Sequence, residues 1–345
     1  MNRTEDIRRD LQNVRNTTGE DEGAGPFALL TERDHPLVAA ERLRARCRHP
    51  LTLAFCVAAP LLTLAAIRAM PVAEQLPELA SLSRRALDFL AAFVALWPLA
   101  MVMGAAWRAA AATLAEGVEE TAMQLVLTPL RKRTIAAAKV LPNVRPFLWG
   151  IFATLPLYLL AGGMEPFLFS NAMPSPFVLW PFRAPVGVMA LLFGGPYEQT
   201  GLSPAGAAAG ALMALTDLGL VWAAAHWGAG LAVRVNSLVV VVLRLLLRLI
   251  LLATALAAYL ILALLLGLAI FPAAQWMFGR GELLSTLLGT ASMLWLWWLF
   301  PLRNATRRCL ADFTWFDRLA MDPDDPSLRN SLRMAAWWWY DGRRA

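Results

Sequence analysis

Six stretches of this 345-residue chain run for roughly twenty residues each with almost no charge, and each ends at a charged residue or a proline-rich loop. An apolar run of about 20 residues, wound as a helix, matches the ~30 Å hydrocarbon core of a bilayer. Inside lipid every backbone amide must be bonded within its own segment, which leaves the helix as the spanning form for isolated runs. The runs occupy residues 50–67, 89–107, 146–164, 204–233, 249–271 and 283–302. Composition agrees: 58% of residues are hydrophobic and 16% charged, against about 45–50% and about 25% in soluble domains. The expected fold class is therefore all-α, a polytopic membrane protein with six transmembrane helices.

The fifth run stays uncharged from residue 249 to residue 279, which as helix would measure about 46 Å at 1.5 Å per residue. Pro272 divides it into a span ending near residue 271 and a short segment that dips into the outer interface. Residues 166–197 carry several prolines and only Arg183, a pattern that opposes one continuous helix and suits an ordered outer loop. Orientation follows from the basic residues. Nine lie in the first 49 residues, six in the link after span two, three after span four and eight from Arg303 onward, against three, one and one in the opposite segments. Arg and Lys collect on the cytoplasmic side, so both termini are expected in the cytoplasm of an integral plasma (inner) membrane protein. Arg244 and Arg248, four residues apart on one helical face at the cytoplasmic end of span five, can snorkel to lipid phosphates.

The polar ends read separately. Residues 1–33 are expected as a disordered cytoplasmic tail, with apolar periodicity missing over residues 1–25. Residues 35–48 alternate Leu37, Val38, Leu43 and Cys47 with Glu41, Arg42, Arg44 and Arg46, as in a basic amphipathic helix on the inner membrane surface. Residues 304–345 form a cytoplasmic amphipathic tail whose Trp337, Trp338, Trp339 and Tyr340 suit the interface, as do Trp295, Trp297 and Trp298 of span six. The net charge of +6 belongs to these cytoplasmic ends and calls for no nucleic acid. Three cysteines and three histidines stand far apart, without disulfide or metal-site spacing.

The link between spans two and three holds more than a connection requires, since about six residues would suffice. Glu116, Glu119 and Glu120 precede an apolar stripe of Leu125, Val126, Leu127 and Leu130; Arg131, Lys132, Arg133 and Lys139 follow it. Thr128 before Pro129 has the composition of an N-cap followed by proline in the first helical turn. A short amphipathic helix lying across the cytoplasmic face is expected, as a docking surface for a partner.

This stretch resembles the cytoplasmic signature of type-2 ATP-binding-cassette (ABC) transporter permeases. Thr121 stands at the family's threonine, Leu125-Val126-Leu127-Thr128-Pro129-Leu130 at its Leu-Leu-Thr-Pro-Leu-Ser-like core, and Ile135 and Lys139 at the next two positions. Glu120, Met123, Arg131 and Ala138 replace the family's glycine, glutamate, serine and second glycine. Asp34-His35-Pro36-Leu37 with Glu41-Arg42, and residues 228–237, are similar to two further family segments, so the resemblance covers residues 34–303. It implies a six-span permease domain and a coupling helix seated in a groove of a separate ATP-binding subunit. It further implies a dimer, with itself or a related permease, and a re-entrant element between spans five and six. ATP and Mg would sit on the partner subunit; no cofactor is expected in this chain, whose two lysines and missing G-x-x-x-x-G-K-[ST] loop leave no phosphate-binding site of that kind. Glu119, Glu120, Thr121, Leu125, Leu127, Thr128, Pro129, Leu130, Arg131 and Lys139 are the coupling candidates. Membrane lipids complete the expected partners.

Asp217 lies about 13 residues into span four, where an ionisable group is costly and marks a possible polar site. It lines a path or relays a proton, or else it serves packing through Thr216, Tyr259 or backbone. His226, nine residues on, is too far along the helix to pair with it and reads as a satisfied interior histidine. Gly162, Gly163, Gly206 and Gly210 allow close helix packing. Two further readings stay open: a polytopic membrane enzyme, for which one deep acid and one histidine are a thin complement, and a permease-like structural or assembly protein without transport.

Overall fold

The computed structural model describes residues 25–44, 97–116, 125, 130–163, 204–235, 237–255, 258 and 300–313. All regular structure among them is helical. After a 3₁₀ turn at Ala28–Glu32 come α1 (Pro36–Arg44), α2 (Trp97–Glu116), α3 (Lys132–Ala153), α4 (Leu155–Gly163), α5 (Pro204–Arg234), α6 (Leu238–Ala255) and α7 (Phe300–Asp312). Two of these, α2 and α6, are long and apolar enough to cross a membrane. The first expected span, residues 89–96 of the second, most of the fifth after residue 255, nearly all of the sixth, the outer loop, the re-entrant segment and the tails at 1–24 and 314–345 lie outside the described residues. So do Glu119, Glu120, Thr121, Leu127, Thr128 and Pro129.

The helix α5 is the centre of the bundle, with α3, α4 and α7 packed against it. Proline at its first position has φ preset for a helix and no amide to waste there, and the alanines and leucines that follow are strong helix formers. Small residues bring its neighbours in. Gly228 faces the backbone carbonyl of Ala106 on α2, and Gly210 faces that of Tyr158 on α4, so closely that a methyl group at either glycine would overlap those atoms. Ala105, Ala106, Ala109 and Ala110 of α2, all buried, form a smooth seam on the same side. Such seams let helices gain van der Waals contact where no bulky side chain intervenes.

Four elements begin or end elsewhere than the charge pattern suggests. The helix α3 starts at Lys132, well before the expected third span, and buries Thr134 to Val144. It passes through Pro142 and Pro146 and stops at Thr154, whose hydroxyl donates to the carbonyls of Gly150 (3.1 Å) and Ile151 (2.9 Å). Pro156 then sits in the first turn of α4, where its missing amide is harmless. The helix α2 continues past Arg108 to Glu116, and Arg108 is absorbed by a hydrogen bond to Asn143 (3.1 Å). The helix α6 starts at Leu238, ahead of the expected start of span five at residue 249, and includes Arg244 and Arg248. The helix α7 carries on through Arg303 to Asp312. Arg108 reaches a polar partner and Arg244 the surface, so neither ends its helix.

Residues 25–33, expected within the tail, are ordered. The Pro26 carbonyl accepts from Trp222 Nε1 (3.2 Å) and Thr306 Oγ1 (2.9 Å), tying this segment to α5 and α7 together. Of the amphipathic helix expected at 35–48, residues 36–44 are helical as α1, and residues 45–48 lie outside the described residues. His35 caps it, its Nδ1 accepting the Leu37 amide (3.2 Å). The helix lies on α3 with Val38 buried.

Candidate functional site

The segment 117–131, which carries the expected docking surface, is bounded by α2 on one side and α3 on the other. Its mounting is a buried ion triad. Lys139, about two turns into α3, is 1% exposed and forms ion pairs with Glu116 at the end of α2 and with Glu41 of α1 (3.0 Å to Glu41). One ammonium thus faces two carboxylates supplied by two other helices, all three nearly sealed from solvent. Water cannot substitute for these partners at low exposure, so the triad fixes where α1, α2 and α3 meet. Asn143, one turn further along α3, donates to the Lys139 carbonyl (2.9 Å) and accepts from Arg108 of α2.

A second grip holds the start of α3. Arg133 donates to the Ala28 carbonyl and to Thr31 Oγ1 (2.7 Å), while Thr134 Oγ1 donates to Glu32 (2.9 Å). Glu32 also brings negative charge to the positive end of the α3 dipole. The 25–44 segment therefore braces the base of α3 through the 3₁₀ turn, and the α2–α3 junction through Glu41.

The coupling candidates within the described residues divide. Leu125 and Leu130 are half-buried and packed against the core. Arg131 is exposed and is the N-cap of α3, with extended backbone and no side-chain cap. Lys139 does not reach the surface, because two carboxylates hold its ammonium inside. Sequence reasoning singled out Lys139 but missed Glu41 and Glu116 as its partners, which lie 98 and 23 positions away. The available signal was that Lys139 is one of two lysines in the chain and sits between apolar residues.

Deeper in the bundle, Asp217 is fully buried and accepts from the Tyr158 hydroxyl (2.7 Å). Gly210 lies two turns before Asp217 on the same face of α5, and its contact with the Tyr158 backbone puts the phenol within reach of the carboxylate. This partner is on α4; Tyr259, expected as one alternative, lies outside the described residues. His226 is also fully buried, and its Nδ1 stands 2.7 Å from the Trp222 carbonyl. A carbonyl can only accept, so the proton is on Nδ1, and Nε2 is left as an acceptor without a partner among the described residues. No group of three metal-ligating side chains occurs among the described residues. At the far end of α5, Arg234 pairs with Asp312 of α7 at 2.5 Å. Burial raises the Asp312 carboxyl above its ordinary range, and Arg234 and Arg248 pull it back.

No family model, no curated protein and no solved structure matches the chain.

Proposed function

We propose that this chain is the membrane subunit of an ABC-type transporter, with six spans, both termini in the cytoplasm and a separate ATPase docked on residues 116–139. The observation that carries the reading is the 121–139 motif, with its Leu-Val-Leu-Thr-Pro-Leu core between acidic and basic flanks. The geometry of its frame is consistent with that role. A segment that passes on a push from a partner has to be mounted on helices that move as one, and the Lys139 triad joins α1, α2 and α3 at its two ends. Under this reading Leu125, Leu127 and Leu130 contribute apolar contact with the ATPase groove, and Glu119, Glu120 and Arg131 set orientation. ATP and Mg reside in the ATPase. Two copies, or this chain and a related permease, enclose the path.

The test is a pair of substitutions inside the segment. Leu127→Asp and Pro129→Asp should leave the protein in the membrane at its normal level. They should lower the ATP hydrolysis that the chain elicits in membrane vesicles by at least about tenfold, equivalent to about 1.4 kcal/mol of lost interaction. Normal hydrolysis by both variants would refute docking through 116–139.

A further inference from the structure

The ends of α5 and α7 and the middle of α6 bring Arg234, Arg308 and Arg248 to one carboxylate, Asp312, with Arg244 beside Arg248. Arg234 is paired with Asp312. Arg248 lies within electrostatic range of Asp312, Arg308, Arg234 and Arg244. Arg308 and Asp312 are one turn apart on α7, as are Arg244 and Arg248 on α6, so each helix presents its pair on one face. Among the described residues, four positive charges stand against one negative, which leaves the cluster cationic. It is also unsatisfied: Nη1 of Arg248 and Oδ2 of Asp312 are shut off from solvent without a hydrogen-bond partner among the described residues. A guanidinium prefers to have its forked donors filled, and the acceptor that fills them best is a phosphate or carboxylate oxygen pair.

What borders the cluster narrows the source of that anion. The helix α6 turns Leu238, Val241 and Leu245 to the core. Its opposite face is bare: Leu243, Leu247, Ile250 and Leu251 are each more than half exposed. On the helical wheel Arg244 and Arg248 lie on the flank between these two faces. Helical side chains lean toward the helix N-terminus, which draws both guanidinium groups back toward Arg234 and Asp312. A cationic cradle at one end of an uncovered apolar face has the two halves of a phospholipid site, since acyl chains suit the leucines and a headgroup phosphate suits the arginines.

We infer that Arg234, Arg244, Arg248 and Arg308 form a binding site for the phosphate of an anionic phospholipid whose acyl chains lie along the exposed face of α6. Asp312 is the positioning residue: it holds Arg234 in place and lowers the mutual repulsion of the four arginines. The inference rests on the membrane reading above, but not on the ATPase. The site would select lipids of net negative headgroup charge over zwitterionic ones, because a choline or ethanolamine ammonium would be brought close to four like charges.

The experiment uses the purified full-length protein, washed in mild detergent and then exposed to mixed phosphatidylcholine and phosphatidylglycerol micelles, with retained lipid counted by native mass spectrometry. The expected result is retention of phosphatidylglycerol over phosphatidylcholine. Arg244→Gln/Arg248→Gln should reduce that preference by about tenfold, the loss expected from removing one or two charge-assisted contacts. Arg307→Gln removes the same kind of charge from an exposed position on α7 and should leave the preference intact. Equal retention of the two lipids overturns the proposal, as does an equal loss in Arg307→Gln, which would mark a general charge effect. Displacement of the lipid by millimolar inorganic phosphate would reassign the cradle to a free anion and also overturn it. Recovery of the native chain in the soluble rather than the membrane fraction would remove the membrane reading and this site together, whereas loss of the ATPase alone would leave the lipid preference unchanged.

Discussion

Replacing Lys139 with methionine should destabilise the protein by about 3–5 kcal/mol, the usual consequence of stripping one partner from a buried ion pair. The methionine fills nearly the same volume, so the loss comes from charge and not from a cavity. With the ammonium gone, Glu116 and Glu41 would face each other across a site that is almost closed to water. Either both carboxylates take up protons or α1 leaves α3 to let water in. The triple variant Lys139→Met/Glu41→Gln/Glu116→Gln removes the stranded charges and should recover most of the loss, because a buried ion pair is often no more stabilising than neutral packing. Thermal unfolding in detergent of the single and triple variants measures both. A drop of less than about 1 kcal/mol for Lys139→Met, within the range of solvent-exposed pairs, would mean that water reaches the triad.

Gly228→Val is expected to be the most damaging substitution in the α2–α5 seam. A Cβ at position 228 would overlap the carbonyl of Ala106 and crowd its Cα at 2.8 Å. Backbone cannot rotate aside as a side chain can, so the two helices must separate and the alanine seam opens along its length. Overpacking in a well-filled core usually costs about 1–3 kcal/mol; here the obstacle is rigid, and the upper end of that range or beyond is expected. Gly150→Ala is the comparison. Its nearest neighbour is the sulfur of Met101 at 2.8 Å, the far end of a flexible chain that can turn away. The yield of folded protein and its unfolding midpoint should fall sharply for Gly228→Val and little for Gly150→Ala. Similar behaviour of the two variants would contradict the close approach of α2 to α5.

Where the sequence could be read directly, one-dimensional pattern was enough. The α5 boundaries at 204 and 234 coincide with the fourth apolar run at 204–233, because that run is bounded by a helix-starting proline and a terminal arginine with no competing charge at its ends. A helix over residues 36–44 was legible from its amphipathic spacing and from His35-Pro36 at its start. Asp217 stood out as the one acid within an apolar run, and it is buried.

The remainder depended on contacts between distant positions. Lys139 looked like surface charge because a lysine inside a bundle is rare, and only Glu41 and Glu116 make it tolerable there. The early starts of α3 and α6 were hidden for the same reason: Arg133, Lys139, Arg244 and Arg248 suggested water, although each has either a carboxylate, a carbonyl or an open flank to reach. The Tyr158 hydroxyl was unforeseeable as the partner of Asp217, since α4 reaches that depth only because α3 breaks at Thr154 and Gly210 admits its backbone. The order of residues 25–33 likewise follows from Trp222 and Thr306 converging on one carbonyl, not from any local propensity.

The most direct test of the proposed role is purification of the tagged protein from its native membrane in mild detergent, with mass spectrometry of whatever remains bound. The account predicts a P-loop ATPase in about equal amount with the wild-type chain, and its loss from Leu127→Asp. Recovery of the wild-type chain without any ATPase, under conditions that preserve other membrane complexes, would contradict it.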